Sequence, residues 1–183
     1  MTWARFAGVV WGLAAISGTC SAATAAETCH SATGQYADTR TCVSSVLPPQ
    51  GNNRYGPNNL NGEGGAWCEG VDGPGVGQTI TLHQKQDNVI GSLSFVNGYT
   101  KTPQLFRANG RVKQARIETS NGYRKTVNLP DSSEWQKIEI SPSKVSWVRL
   151  TILAVYPGAR GSDTCITTFY LNQEDFLDEP EAK

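Results

Sequence analysis

The chain has 183 residues, 38% hydrophobic and 17% charged, which suits one ordinary domain and excludes a disordered chain or a coiled coil. Lys and Arg number 16 and Asp and Glu 16, so no global charge advertises nucleic acid or an acidic membrane. With 19 Gly, 9 Pro and one Met, the composition argues against a helical bundle and for a loop-rich β protein.

Residues 1–25 read as a secretory signal peptide. Arg5 precedes an apolar stretch from Phe6 to Ile16, and small residues follow. That stretch is shorter than the roughly 20 apolar residues a bilayer needs, so no membrane span is expected. Ala23-Thr24-Ala25 places cleavage after Ala25, with Ala26 as the neighbouring choice. Cys20 offers a lipidation site, but the residues before it lack the usual Leu and small residue. The mature chain is expected to be exported, either periplasmic or secreted.

Export leaves Cys29, Cys42, Cys68 and Cys165, an even set in an oxidising compartment. Of three connectivities, 29–42 and 68–165 is favoured: the first pair lies close together, and the second ties an early loop to the last strand. Zinc is the competing reading, but there is no CxxC spacing, and His30 and His83 are the only histidines.

From Thr41 onward, apolar residues alternate in short runs bounded by turns. Strands are expected at Thr41–Leu47, Gln78–His83, Val89–Val96, Arg111–Glu118, Tyr123–Leu129, Trp135–Ile140, Val145–Val155 and Cys165–Leu171. Asn121-Gly122 predicts a hairpin between two of them, because both residues tolerate positive φ. Pro157-Gly158 predicts a type II turn. Eight short strands without helical patterns give an all-β, eight-stranded antiparallel sandwich. The long segment from Pro48 to Gly77, with nine Gly and five Asn, is expected to be a functional loop. The end of the chain turns acidic (Glu174, Asp175, Asp178, Glu179, Glu181) and reads as a solvated tail over 173–183. Residues 27–172 hold 14 basic and 11 acidic side chains, too slight an excess to propose a nucleic-acid partner.

Catalytic constellations are weak. The glycine run from Gly70 to Gly77 lacks the Lys-Ser/Thr of a phosphate loop and precedes a strand. His83 has no Ser or Cys partner in its segment and reads as structural or exposed. Glu63, Glu69 and Asp72 share one loop and are the residues a small periplasmic hydrolase would use. Aromatic and amide residues near turns suggest sugar binding instead: Tyr55, Trp67, Tyr99, Phe106 and Tyr156 beside Asn97, Asn109, Arg107 and Arg111. Trp67, next to Cys68, is expected to be a packing element.

Four separated motifs carry a family resemblance. They are Tyr55–Gly62 (YGPNNLNG) with Ala66–Val71 (AWCEGV), Asn97–Lys101 (NGYTK), Arg107–Lys113 (RANGRVK), and Leu150–Gly158 (LTILAVYPG) with Asp163–Ile166 (DTCI). Together they resemble the NAD-glycohydrolase translocation domain, a branch of the discoidin or galactose-binding-like superfamily, over about residues 40–172. The resemblance implies a jelly-roll β-sandwich that binds glycans through loops at one end. The NAD-cleaving module that accompanies such a domain elsewhere has no room here, so no enzyme activity is carried over. Relatives often hold a structural calcium near the early loop. Asn61 stands where they have Asp, and Thr167-Thr168 where they have Ser-Glu, so the expected cofactor set is none.

The expected organisation is a signal peptide (1–25), an N-terminal lead segment (26–39), a discoidin-like sandwich (40–172) and an acidic tail (173–183). The expected function is non-catalytic binding of a glycan or glycosylated surface. Asn97, Tyr99, Lys101, Arg107, Asn109 and Arg111, all in one connection between strands, are the expected ligand residues. The alternative is a module that docks a secreted effector protein through the same loops.

Overall fold

A computed structural model describes residues 26–33 and 38–172; the expected signal peptide and acidic tail lie outside the described residues. Its elements are β1 (Thr28–Thr33), β2 (Asp38–Val43), a 3-10 turn (Pro57–Leu60), β3 (Trp67–Cys68), β4 (Thr79–Asn97), α1 (Pro103–Ala108), β5 (Arg111–Thr119), β6 (Arg124–Asn128), β7 (Trp135–Tyr156) and β8 (Cys165–Leu171).

Alternation builds the layers. Ile80 and Leu82 on β4, Ile117 on β5, Leu150 and Ile152 on β7, and Ile166 on β8 are all buried. Phe95 and Phe169 meet edge to face at 6.4 Å in the same core. Burying each such side chain contributes about 1.5–3 kcal/mol. The strands pair antiparallel in the order β1-β2-β4-β7-β5-β6, while β8 pairs with β4 and β3 with β8.

Four of the expected strands merge into two. β4 spans the runs at 78–83 and 89–96, and β7 spans those at 135–140 and 145–155. The register between them shifts at His83/Asn88 and Ile90/Ser92. Before these breaks β4 lies between β2 and the second half of β7; after them it lies between β8 and the first half of β7. Each long strand therefore bends from one layer of the sandwich into the other. The polar run Gln84–Asn88, between two of the expected strands, falls at this bend. Pro142 falls where β7 has no ladder partner, so its missing N–H costs nothing.

Other differences are local. The lead segment supplies β1, which pairs with β2 from Thr28↔Val43 to Thr33↔Asp38. The strand expected at 41–47 runs instead from Asp38 to Val43, because Ser44 and Ser45 turn to donate to Gln78 Oε1 at 2.6 Å each. α1 has only six residues, too few for a helical period to show. Thr102 Oγ1 accepts from the Leu105 amide at its start. At the expected hairpin only Gly122 has positive φ (90°), with Asn121 Oδ1 accepting from Thr119 Oγ1 at 2.6 Å. Gly158 does not have positive φ, which corrects the type II turn. Glycine is needed there because a Cβ would collide with the backbone carbonyl of Ala108.

Both disulfides, Cys29–Cys42 and Cys68–Cys165, join directly paired strand residues. Register then gathers the long connections. Val96 faces Trp135, Asn97 faces Ile166, Arg111 faces Tyr156 and Gln114 faces Asn128. Segments 98–110, 129–134 and 157–164 therefore leave the sandwich at one end.

Candidate functional site

Three loops at that end are fastened by Arg111. Its Nε and Nη2 grip the Asp131 carboxylate at 2.9 and 2.8 Å, and its Nη1 donates to the Asn109 and Pro157 carbonyls at 2.8 and 2.9 Å. The guanidinium also lies 5.3 Å from the Phe106 ring centre. At 8% exposure, Arg111 is a structural clamp rather than an open ligand donor. Asn97 is likewise committed to the fold: it is 0% exposed, donates to the Val112 carbonyl at 2.7 Å and accepts from the Val112 amide at 2.8 Å. Asn109 donates its side-chain amide to the Leu105 carbonyl at 2.9 Å, closing the end of α1. Tyr99, only 5% exposed, stands edge to face with Tyr55 at 6.2 Å in a small second core with Cys68 and Cys165. Its flat face is not presented to solvent, and burial pushes its hydroxyl pKa up, with Tyr55 adding to the effect.

Lys101 and Arg107 are the expected ligand residues that remain exposed. The structure adds two that the sequence did not single out. A cleft of about 290 Å³ lies between α1 and the loop after β7, lined by Gln104, Arg107, Ala108, Ala159 and Arg160. Its walls are joined through backbone: Ala159 N donates to Arg107 O at 2.9 Å, while Arg160 N and Gly161 N donate to Ala108 O at 3.1 and 2.9 Å. The terminal carbonyls of α1 are thereby satisfied by the facing loop. Two arginines and an amide flank a concavity near the lower end of ligand-pocket sizes, about 300 Å³. No local motif marks Arg160; only the closure of this loop on α1 brings it beside Arg107.

The early loop is held from below by Glu69. Its side chain is 0% exposed, and its two carboxylate oxygens accept from the Val71 amide at 2.9 Å and the Thr164 amide at 3.0 Å. Burial raises its pKa, the two amides oppose this, and nearby Asp163 raises it further. Of the three carboxylates a hydrolase would use, Glu69 is therefore closed off, while Glu63 and Asp72 are exposed. Trp67 is buried as a packing element, donating Nε1–H to Ser45 O at 2.8 Å. An aromatic that does face solvent is Trp135, 55% exposed and 5.6 Å from Tyr170.

The donors near Asn61 do not fit a divalent cation. Asn61 Oδ1 already accepts from the Glu63 amide at 3.1 Å, and Thr167 Oγ1 donates to Gly98 O at 2.7 Å. These groups are neutral, and affinity for calcium rises with ligand charge. Among the described residues, one group with ligand-like spacing is Glu27, Cys29 and Cys42, but its sulfurs form a disulfide. EDTA is expected to leave the melting temperature unchanged in a thermal scan; a drop reversed by calcium would show that a cation is held.

Comparison with known proteins supports the architecture. The sandwich is similar to a Clostridium perfringens module, CpGH89CBM32-5, solved with GalNAc-β-1,3-galactose (TM-score 0.55, 15% identity, 73% of this chain and 94% of that one). It is also similar to the family 32 carbohydrate-binding module of C. perfringens NanJ, solved with galactose (TM-score 0.53, 14% identity, 73% and 92%). A third is CBM32-3 from a C. perfringens family 31 glycoside hydrolase (TM-score 0.53, 15% identity, 71% and 88%). Identities this low establish the fold alone. No curated protein sequence matches the chain. The sequence profile of the NAD glycohydrolase translocation F5/8 type C domain matches residues 33–172, from the end of β1 to just past β8. That match takes in both layers, Cys68–Cys165 and the loop-rich end, and the chain belongs to this family.

Proposed function

We propose that the protein is an exported, non-catalytic module that binds a carbohydrate at its loop-rich end, in the cleft between α1 and the loop after β7. The observation that carries this reading is the pairing of Arg107 and Arg160 across that cleft, with Gln104 beside them and a rigid backbone floor. Forked guanidinium donors and a side-chain amide suit sugar hydroxyls or an acidic substituent. Lys101 lies exposed on the same connection and adds a further positive charge to this end. Neighbours of this fold solved with galactose or GalNAc-β-1,3-galactose support a glycan as ligand. Two disulfides support a periplasmic or secreted location.

The test is a glycan array probed with wild type and with the double variant Arg107→Ala/Arg160→Ala. Both side chains are exposed, so the variant is expected to keep its stability within about 1 kcal/mol. Its glycan signal is expected to vanish. A folded double variant that retains wild-type binding would overturn this site. The family's translocation role favours a second reading, docking of a secreted effector through the same end. A wild-type protein blank on the array but retaining such a partner in pull-downs would favour that reading.

A further inference from the structure

The outer face of the larger layer carries positive charge that the loop-rich end does not use. Residues two apart on a strand share a face, and register places them across the sheet. One row runs Ser31, Arg40, His83, Trp147. The next row, on the same face, runs Cys42, Thr81, Arg149, Glu118, Arg124. Arg40 therefore lies directly across from His83 on one neighbouring strand, and Arg149 lies diagonally from it on the other.

Both guanidiniums are positioned. Arg149 donates Nε–H to Thr81 Oγ1 at 3.0 Å, and its Cζ lies 5.2 Å from the Trp147 ring centre. Arg40 donates from Nη2 to Cys29 Sγ at 3.2 Å. Among the described residues neither enters an ion pair. Glu118, the acid opposite Arg149 in the ladder, has both oxygens taken, by Arg116 at 3.0 Å and Arg124 at 2.7 Å. Asp38, near Arg40, is held by Lys85 at 2.8 Å. At His83, burial lowers the pKa most, Arg40 lowers it further, Glu27 opposes this, and Arg149 makes a smaller lowering contribution. A cavity of about 360 Å³ opens beside the cluster, its charged and titratable lining being Asp38, Arg40, His83 and Lys85, of which Asp38 is paired with Lys85.

We propose that this face is a second binding site, taking the carboxylate or sulfate groups of an acidic polysaccharide between Arg40 and Arg149 above His83. Planar guanidinium forks match oxyanions in two-point contact, and against Arg40 and Arg149 stands one nearby acid outside the ion pairs, Glu27, whose carboxylate lies within 4.8 Å of Cys29 Sγ, so the face keeps an excess of positive charge. Arg116 on β5 and Arg124 on β6 share Glu118 and extend the cationic surface by one net charge, which suits a chain that repeats its charge. Nucleic acid fits less well, because Arg149 already occupies a face of Trp147, the aromatic in these rows, and base stacking needs an open ring. The site does not depend on the loop-end reading, since it shares no residue with that cleft.

The experiment is titration calorimetry of the mature protein at low salt with three probes: a heparin-derived hexasaccharide for sulfate, an oligogalacturonate for carboxylate, and neutral maltohexaose. At least one anionic probe is expected to bind, weakening as salt is raised, while the neutral one does not. The titrations are repeated in an Arg107→Ala/Arg160→Ala background, which removes the loop-end site: an anionic probe is still expected to bind there, and adding Arg40→Gln/Arg149→Gln is expected to weaken that binding at least tenfold. Because Arg149 covers Thr81, Arg149→Lys is measured as well; it keeps the charge and is expected to lose less. Which anionic probe binds identifies the oxyanion. Silence from both anionic probes, full affinity in the folded Gln variant, loss through the loop-end variant instead, or equal binding of a single-stranded oligonucleotide would each overturn the proposal.

Discussion

Replacing Cys68 and Cys165 together by Ala is expected to be the most damaging change to stability, costing about 3–5 kcal/mol in urea unfolding at constant m-value. The bridge closes 97 residues, and the loop-entropy account for a loop near 100 residues gives about 4.7 kcal/mol. Packing adds to this, because both cysteines lie in the small core with Tyr55, Tyr99 and Ala66. Chain topology makes the bond matter more: β3 has two residues and is joined to the sandwich by pairing with β8 alone. Without the crosslink, the early loop is held by Glu69, Trp67 and a few backbone hydrogen bonds. Replacing Cys29 and Cys42 is expected to cost less, since that bridge closes 13 residues at the sheet edge. A double Ala variant at 68 and 165 that unfolds at the wild-type urea midpoint would refute the assignment of the main staple.

The second large effect is expected at Glu69. Glu69→Ala removes the acceptor of the Val71 and Thr164 amides and leaves a void under Gly75, whose Cβ position abuts the Glu69 side chain. Two stranded amides, each costing about 1–3 kcal/mol, give a loss of about 3 kcal/mol or more, read as a fall in melting temperature. Glu69→Gln keeps one acceptor and is expected to be milder, and its comparison with wild type carries a pH signature. The folded-state pKa of Glu69 lies above its ordinary value of 4.5, so the folded chain holds this proton more tightly than the unfolded chain. Stability linked to the group is complete below the unfolded value and lost as pH rises through the folded one. The advantage of wild type over Glu69→Gln should therefore be largest in acid and shrink toward neutral pH. An advantage that grows with pH would show that the carboxylate is stabilised as an anion.

The layers were legible in the sequence because period-two alternation is local: Leu93 and Phe95, or Val148, Leu150 and Ile152, announce their faces without reference to anything distant. The family motifs and both cysteine pairs were legible for a related reason, being tied to residue identity and spacing. Orientation of the polar residues was not. Asn97, Tyr99 and Arg111 have the chemistry of a sugar site, but their partners lie elsewhere in the chain. Asn97 meets Val112, Tyr99 meets Tyr55, and Arg111 meets Asp131 and Pro157. Arg160 carries no local signal, since nothing near it in sequence is unusual. The Arg40–His83–Arg149 cluster needed the register of three strands, which no single segment encodes.

The sharing of β4 and β7 between the two layers has a mechanical side. In a sandwich whose strands each belong to one sheet, the sheets can slide or pivot against each other at the expense of side-chain contacts alone. Here such a movement would also deform two continuous backbones at the bends near His83–Asn88 and Ser141–Val145. The scaffold consequently behaves as one stiff block, and its loop-rich end is mounted on that block rather than on a hinge. A load applied at that end is carried to both sheets at once through covalent chain.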